Sequence, residues 1–358
     1  MWAVLVVGVA WATDPFGFST GEHPVDLDTT SDEPVWTDAS ECADCHQEAA
    51  EQWSASRHSV AWTNDLMQAG FVAEARLFCV YCHAPSTAQV AEVTANMATY
   101  RALSPTAPPH GAAPGALLPE PKAEEGISCV VCHLRNGEVL SANPPDPESP
   151  HPIRTDPTFG TEAACVTCHQ FPAPSFVDGR TIPSDQPMQA TVAEWEAWRA
   201  ETGHREDCTD CHMPDGDHRM PGVHDHEQLR SAIRAKVRGR GANRVLRIEA
   251  VDVGHAVPTG DLFRHLTVEV RRADTDWTTI EVLGRRFIVD DSGPVPIKRQ
   301  VADTRPRPEH PIDVPLSDPL LSGIRVRIHL GGTHDEMRGL VPIEALVFTV
   351  WEAPLRPR

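Results

Sequence analysis

Positive charge is scarce in this chain of 358 residues: 31 lysines and arginines stand against 51 acidic residues, a net charge of −20. So acidic a surface favours neither nucleic acid nor anionic membranes. It suits a partner with a basic docking patch, and equally a solvated face with no partner at all. Long apolar runs are absent except at the start, where "MWAVLVVGVAWATDPFG" is too short for a membrane span. That run ends in Ala10-Trp11-Ala12, a small-x-small cleavage pattern. Residues 1–12 are therefore read as a signal-like segment, although a positive n-region is missing. Nothing else reads as transmembrane, so the chain is not expected to be an integral membrane protein. Tyrosine occurs only as Tyr81 and Tyr100, and cysteine is absent after Cys211.

What cysteine there is follows one pattern. All ten residues fall in five copies of Cys-x-x-Cys-His: Cys42/Cys45/His46, Cys79/Cys82/His83, Cys129/Cys132/His133, Cys165/Cys168/His169 and Cys208/Cys211/His212. A disulfide framework needs no histidine at a fixed offset. Structural zinc would take paired units or distant histidines, and five units pair badly. Thioredoxin-like motifs come once per domain. The spacing reads as c-type haem attachment, in which two thioethers hold the porphyrin and the adjacent histidine is its proximal ligand. The expected cofactors are five covalent haems c with their irons.

The motifs start at 42, 79, 129, 165 and 208, too irregular for a solenoid repeat. Each has about forty residues of chain, which cannot bury much apolar side chain alone. The haems themselves should then form the core, among short helices and loops. Proline-rich 104–122 and 141–157 read as loops, and "TVAEWEAWRAETG" (191–203) is the clearest helix, stopped by Gly203. From about residue 240 the pattern changes to alternating β-rich runs at 244–253, 266–274, 279–291, 324–330 and 344–353. The expected fold is a mainly α, haem-packed and loop-rich domain over 13–240, then an all-β, sandwich-like domain over 241–358. The helix-like "HEQLRSAIRAKVRG" (226–239) is placed before the boundary.

The sixth ligand decides what a haem does: a second histidine suits electron transfer, an open position permits substrate chemistry. Five of the eighteen histidines are proximal, leaving thirteen for at most five distal places. His58 is the leading candidate. If the segment after His46 is helical, His58 lies roughly 18 Å along the axis at 1.5 Å per residue. One straight helix cannot offer both axial ligands to one flat macrocycle, so His58 should serve a neighbouring haem. His151, His218, His224 and His255 are further candidates, with His110 in reserve; for each, a plain surface histidine is the competing reading. One of His218 and His224 is expected to ligate, and His255 could reach back from the β region to a haem.

The segment "CADCHQEAAEQWSASRH", with Trp53, Ser56 and His58 after the first motif, resembles the opening of multihaem cytochromes of the cytochrome c-554 group. The similarity runs on through "FCVYCHAP", "EGISCVVCH", "AACVTCHQF" and "EWEAW…CTDCHMP", and "GHAVPTGDLFRHLTVEV" looks like the start of an appended β domain. The resemblance covers about residues 40–270 and extends to the hydroxylamine-oxidoreductase-like relatives of that group. It implies closely spaced porphyrins, a distal role for His58 on another haem, and export to the periplasm or cell surface, where haem is ligated. The function it implies is an electron relay working with redox partner proteins: other cytochromes, quinone-linked complexes or outer-membrane complexes. The β region could dock the chain into an oligomer or larger complex. The alternative is a multihaem oxidoreductase of hydroxylamine, nitrite or nitric oxide with one open haem. Against it, Cys-x-x-Cys-Lys is absent and tyrosines for a haem cross-link are few.

Overall fold

The structure is a computed structural model; it describes residues 38–355 apart from 75, 104–121, 136, 178–179, 294–295 and 332–340. The signal-like segment, His110 and most of the first proline-rich stretch lie outside the described residues. Among the described residues no helix is long and apolar enough to cross a membrane.

Four of the five haem motifs are themselves short helical turns. Helix α1 (Ala39–Ala43) enters the first motif and α2 (Gln47–Ser54) leaves it. Then come α3 (Asp65–Glu74), α4 (Leu77–His83) with the second motif, and α5 (Thr87–Leu103). The third, fourth and fifth motifs form α6 (Cys129–His133), α7 (Val166–His169) and α9 (Cys208–His212). Between the last two lies α8 (Thr191–Thr202), whose C-cap Gly203 takes the left-handed conformation, φ 77°. That is the stop expected of a glycine, which has no Cβ to clash there.

The first part holds strands as well as helices. A small sheet of β1 (Leu134–Arg135), β2 (Glu138–Ser141) and β3 (Ile153–Thr155) follows the third motif, and a hairpin of β4 (Gln170–Val177) and β5 (Arg180–Ala190) follows the fourth. Over the described structure helices and strands each make up 32%. The hairpin escapes pattern reading because Pro172, Pro174, Pro183 and Pro187 interrupt it, and its register shifts around Pro172. Proline removes ladder donors, so such a run looks like a loop.

Nor do haem sites supply the whole core. Trp62, Phe71, Phe78, Tyr81, Met97, Tyr100 and Phe171 form an apolar cluster around the second motif. Its rings meet edge to face, Trp62–Phe71 at 4.9 Å and Phe71–Tyr100 at 5.0 Å between centroids, the arrangement ring quadrupoles prefer. Both tyrosines are thus taken up in packing.

The segment 226–239 is helical only over α10 (His226–Ser231) and continues as β6 (Ile233–Arg238). The turn starts because Asp225 accepts from the Glu227 and Gln228 amides, at 3.0 and 2.9 Å. Beyond it, Ile233, Ala235 and Val237 alternate, and pairing with β7 (Val245–Ala250) overrides local helix propensity. β11 (Ile312–Pro315) completes a three-stranded sheet in the order β11-β7-β6. Facing it is a five-stranded antiparallel sheet, β10-β9-β8-β12-β13, from β8 (His265–Arg272), β9 (Thr278–Asp290), β10 (Ile297–Asp303), β12 (Leu321–His329) and β13 (Val347–Pro354). Leu246, Ile248, Leu266, Val268, Ile324, Val326 and Ile328 interdigitate between the sheets and are fully buried. An Ile248→Ala protein should lose about 2–5 kcal/mol of stability, the usual range for truncating a fully buried aliphatic residue. Urea denaturation followed by far-ultraviolet circular dichroism checks this; a loss well under about 1 kcal/mol would mean that this core is not packed as described.

The two parts are joined by ladders of side chains. Arg285 of β9 donates to the carbonyls of Met188 and Pro187 on β5, Gln300 N donates to Gln186 at 3.2 Å, and Ser175 Oγ donates to Pro296 O at 2.7 Å.

Candidate functional site

Four of the five motif histidines end a helix, where the chain turns away and leaves the ring directed inward; the first, His46, precedes α2 instead. Four of the five face a second imidazole drawn from a distant segment. His46 faces His151, with ring centroids 6.3 Å apart and planes at 47°. His169 faces His58 at 6.3 Å and 67°, His133 faces His218 at 6.1 Å and 29°, and His212 faces His255 at 6.3 Å and 8°. Two imidazoles on opposite sides of one metal need about 6.3 Å, from metal–nitrogen bonds of about 2 Å and about 1.2 Å from nitrogen to ring centre. All four pairs fit that span. A fifth pair, His265–His329, stacks at 4.4 Å, too close to admit a metal between the rings.

Hydrogen bonding orients the rings as ligands. The Nδ1–H of His83 donates to Ala61 O at 2.8 Å, that of His133 to Leu140 O at 3.0 Å, that of His212 to Pro221 O at 2.8 Å and that of His255 to Ala256 O at 3.0 Å. His58 sets its Nδ1 against Met220 Sδ at 2.8 Å. Each bond leaves Nε2, with its lone pair, for the facing side. Burial pushes the imidazoles of His58, His83, His133 and His255 below their ordinary value and that of His169 down to about 3. They are therefore held neutral, the form that binds metal.

The helix expected to run through His58 ends at Ser54. Ser54 Oγ donates to Glu51 O at 2.8 Å, and Ser59 Oγ donates to Ser54 O and Ser56 O at 3.0 and 2.9 Å. Such hydroxyls offer the backbone an alternative to the helix ladder. The resulting turns are pinned against the segment entering the third motif: Trp53 Nε1 donates to Ile127 O at 2.8 Å, and Ile127 N to His58 O at 3.0 Å. Gly126, at φ 60°, lies so close that a Cβ there would stand 2.6 Å from His58 O. A Gly126→Ala protein should therefore displace His58. The expected result is a stability loss above about 1 kcal/mol with a changed absorption spectrum; an unchanged spectrum would show that the turn is not held there.

Of the histidines singled out in the sequence, His58, His151, His218 and His255 each face a motif histidine. Of His218 and His224, one of which was expected to ligate, His218 is the one that faces a motif histidine; His224 lies partly buried near Arg57, Arg264 and His226, and burial pushes it down to about 3. Among the described residues no second imidazole faces His83.

The motifs also meet one another. The sulfurs of Cys42 and Cys129 are in contact, as are those of Cys82 and Cys168 and of Cys165 and Cys208, with Cys132 close to Cys168. The first motif thus adjoins the third, and the fourth adjoins the second, third and fifth.

Three of the ten motif cysteines, Cys45, Cys132 and Cys211, are exposed, and Cys45 is the one that lies outside a helical turn. Cys42, and not Cys45, makes the contact with the third motif. The second to fifth motifs stay helical as far as their histidine, whereas α1 stops at Ala43 and leaves Cys45 and His46 in an exposed turn before α2. That turn is held by its own backbone, Cys45 N donating to Cys42 O at 3.3 Å and His46 N to the same oxygen at 2.9 Å. The geometry therefore supports Cys42 as an anchored thiol of the first site, and it places Cys45 at the solvent edge of that site. Spacing within the motif remains the ground for assigning Cys45 to a haem.

Residues 41–134 match the family described as "Cytochrome c554 and c-prime". The chain also resembles the crystal structure of a penta-haem cytochrome c552 from Thermochromatium tepidum, with a TM-score of 0.60 and 20% identity, covering 90% of this chain and 100% of that one. At that identity the likeness is one of fold. No curated protein matches. With the five motifs, these findings support a multihaem c-type cytochrome. The donor set fits haem: each motif offers two thiols and an imidazole, and four have a second imidazole at the spacing an iron requires.

Proposed function

We propose that the chain is a relay of electrons through five covalent haems, held at Cys42/Cys45, Cys79/Cys82, Cys129/Cys132, Cys165/Cys168 and Cys208/Cys211. The axial pairs are His46/His151, His58/His169, His133/His218 and His212/His255, and His83 is the proximal ligand at the second motif. The observation that carries this reading is the set of four facing imidazole pairs spaced for a shared iron. Haem supplies a one-electron couple whose potential is set by axial ligands, burial and hydrogen bonding. The chain's own residues do the rest. Backbone carbonyls fix the tautomers, burial keeps the imidazoles neutral, and contacts between motifs bring the sites close enough for electrons to pass. The acidic surface and the resemblance suit work in the periplasm or at the cell surface with other redox proteins.

Magnetic circular dichroism in the near infrared, on the oxidised and fully loaded protein, counts bis-histidine haems directly. At least four low-spin bis-histidine centres per chain are expected; fewer would overturn the assignment. Electron paramagnetic resonance adds a finer expectation. The nearly parallel planes of His212/His255 should give a rhombic low-spin signal, and the steeply crossed planes of His58/His169 one with a much larger leading g-value. A spectrum with a single type of low-spin signal would contradict those ring angles.

A second reading, oxidoreduction of nitrogen compounds at one haem, draws on His83, which has no facing imidazole among the described residues. A high-spin signal that hydroxylamine, nitrite or nitric oxide abolishes, together with turnover, would support it. A protein with five low-spin irons would dismiss it.

A further inference from the structure

We propose that Glu194 is a positioning residue for His255, and that the Glu194–Arg305 ion pair is the device by which the β sandwich sets one axial ligand of the fifth motif. The proposal rests on the assignment of His212/His255 as an axial pair.

His255 belongs to the loop between β7 and β8, yet its ring lies parallel to that of His212, on the other part of the molecule. The backbone of that loop, "VGHAVPTG", is held from both sides. Glu194, on α8, accepts from Ala256 N at 3.2 Å and from Thr259 Oγ1 at 2.8 Å with one carboxylate oxygen. Its other oxygen accepts from Arg305 Nη2 at 2.6 Å. Arg305 in turn donates to Pro258 O at 2.9 Å and grips Asp303 through Nε and Nη2 at 2.9 and 2.6 Å. Val257 N donates to Pro306 O at 3.0 Å, and the hydroxyls of Thr259 and Thr191 meet at 2.9 Å. Gly254 completes the seat, because a Cβ there would stand 2.8 Å from the ring of Trp198. Residues 254 to 259 are thus each fixed by a contact outside or inside the loop.

One residue links the clamp to the ligand. Ala256 donates its N–H to Glu194 and accepts the Nδ1–H of His255 through its carbonyl. The carboxylate therefore orients the backbone at Ala256, and that backbone fixes the ring about its Cα–Cβ and Cβ–Cγ bonds. The negative charge of Glu194 also acts on His255 through space, and negative charge near an iron favours its oxidised form. The ion pair is withdrawn from solvent, the Arg305 side chain 3% and that of Glu194 13% exposed. Burial alone would push Arg305 down, but Asp303 and Glu194 together hold it above its ordinary value. A buried ionic group is a poor way to gain stability, since well-packed apolar residues do as well. Here it fixes a geometry that an apolar contact could not, because only directional acceptors can hold a glycine-flanked loop at one orientation.

The test uses the full-length protein with all haems attached, compared with Glu194→Gln, Glu194→Ala and His255→Ala. Glu194→Gln keeps an acceptor for the Ala256 N–H but removes the charge. It should retain five haems by intact mass and a low-spin fifth site, and move one of the five midpoint potentials to a more positive value. Glu194→Ala should also alter the electron paramagnetic resonance signal of one low-spin centre, leaving the others in place. His255→Ala should turn one iron high-spin. Five unchanged potentials and signals in both Glu194 proteins, beside a high-spin iron in His255→Ala, would overturn the clamp and leave the ligand assignment standing. An unchanged His255→Ala spectrum would remove the ligand assignment and the clamp with it. If Glu194→Ala does not fold, the Gln protein decides, since its side chain keeps the shape of the site.

Discussion

A His58→Ala protein is expected to keep five covalent haems by intact mass and to gain one high-spin iron, which after reduction binds one additional carbon monoxide per chain. The covalent count should hold because His58 lies outside the thioether chemistry of its partner motif, whose cysteines are Cys165 and Cys168. The change of spin follows from ring placement: His58 and His169 stand 6.3 Å apart, and nothing else among the described residues presents an imidazole to His169 at that distance. One group could blunt the effect. Met220 Sδ lies 2.8 Å from His58 Nδ1, close enough for the thioether to take the emptied position. That substitution would keep the iron low-spin but raise its potential, as methionine ligation does. The double change His58→Ala/Met220→Leu removes this rescue and should give the high-spin iron in full. A double-variant protein with unchanged spectra would leave His58 with no role as a ligand.

How much of this could be read from sequence depends on how local each feature is. The five attachment motifs are contiguous, so thiols and proximal histidine are visible in five residues each. Their surroundings are not: nothing in the five motifs tells that Cys45, Cys132 and Cys211 are exposed while the other seven thiols are partly covered. The facing histidines are not local at all. His46 meets His151, His133 meets His218 and His212 meets His255 across long stretches of chain, and no spacing rule picks His218 over His224. What separates those two is surroundings: His224 packs near Arg57, Arg264 and His226, which only the folded chain reveals. For His58 the helix argument directed attention to another motif, yet the helix stops at Ser54 and the separation comes from serine-stabilised turns. The β region was visible wherever one face is apolar, as in "LTVEV" and "IRVRIHL". It was missed where strands lie at an edge or carry proline: the polar edge strand β10, short β11 and the proline-broken β4–β5 hairpin. Missing that hairpin is why the first part was read as helices and loops. Glu194 and Arg305 could not be found in sequence, since neither lies near a haem motif and their meaning depends on a contact 111 residues apart.

Removing the fourth haem should damage the relay more than removing the first. Cys168 lies beside Cys82 and Cys132, and Cys165 touches Cys208, so the fourth motif is the neighbour of three others. The first motif has one sulfur neighbour, through Cys42 and Cys129, and its other thiol, Cys45, is exposed. Electron tunnelling falls off exponentially with distance, so losing a terminal site leaves the remaining hops intact, whereas losing a junction lengthens several at once. In a Cys165→Ala/Cys168→Ala protein the intact mass should fall by one haem, and exchange among the remaining haems should slow by orders of magnitude after flash reduction. A Cys42→Ala/Cys45→Ala protein should lose the same mass with little change in the exchange rate among its other four. Because the first double variant also empties the site between His58 and His169, His58→Met serves as a milder check. Its expected effect is a raised potential at one haem, which makes the junction a trap and slows exchange without removing a cofactor. Equal exchange rates in the two cysteine variants would mean that the fourth motif is an ordinary member of the chain and not its junction.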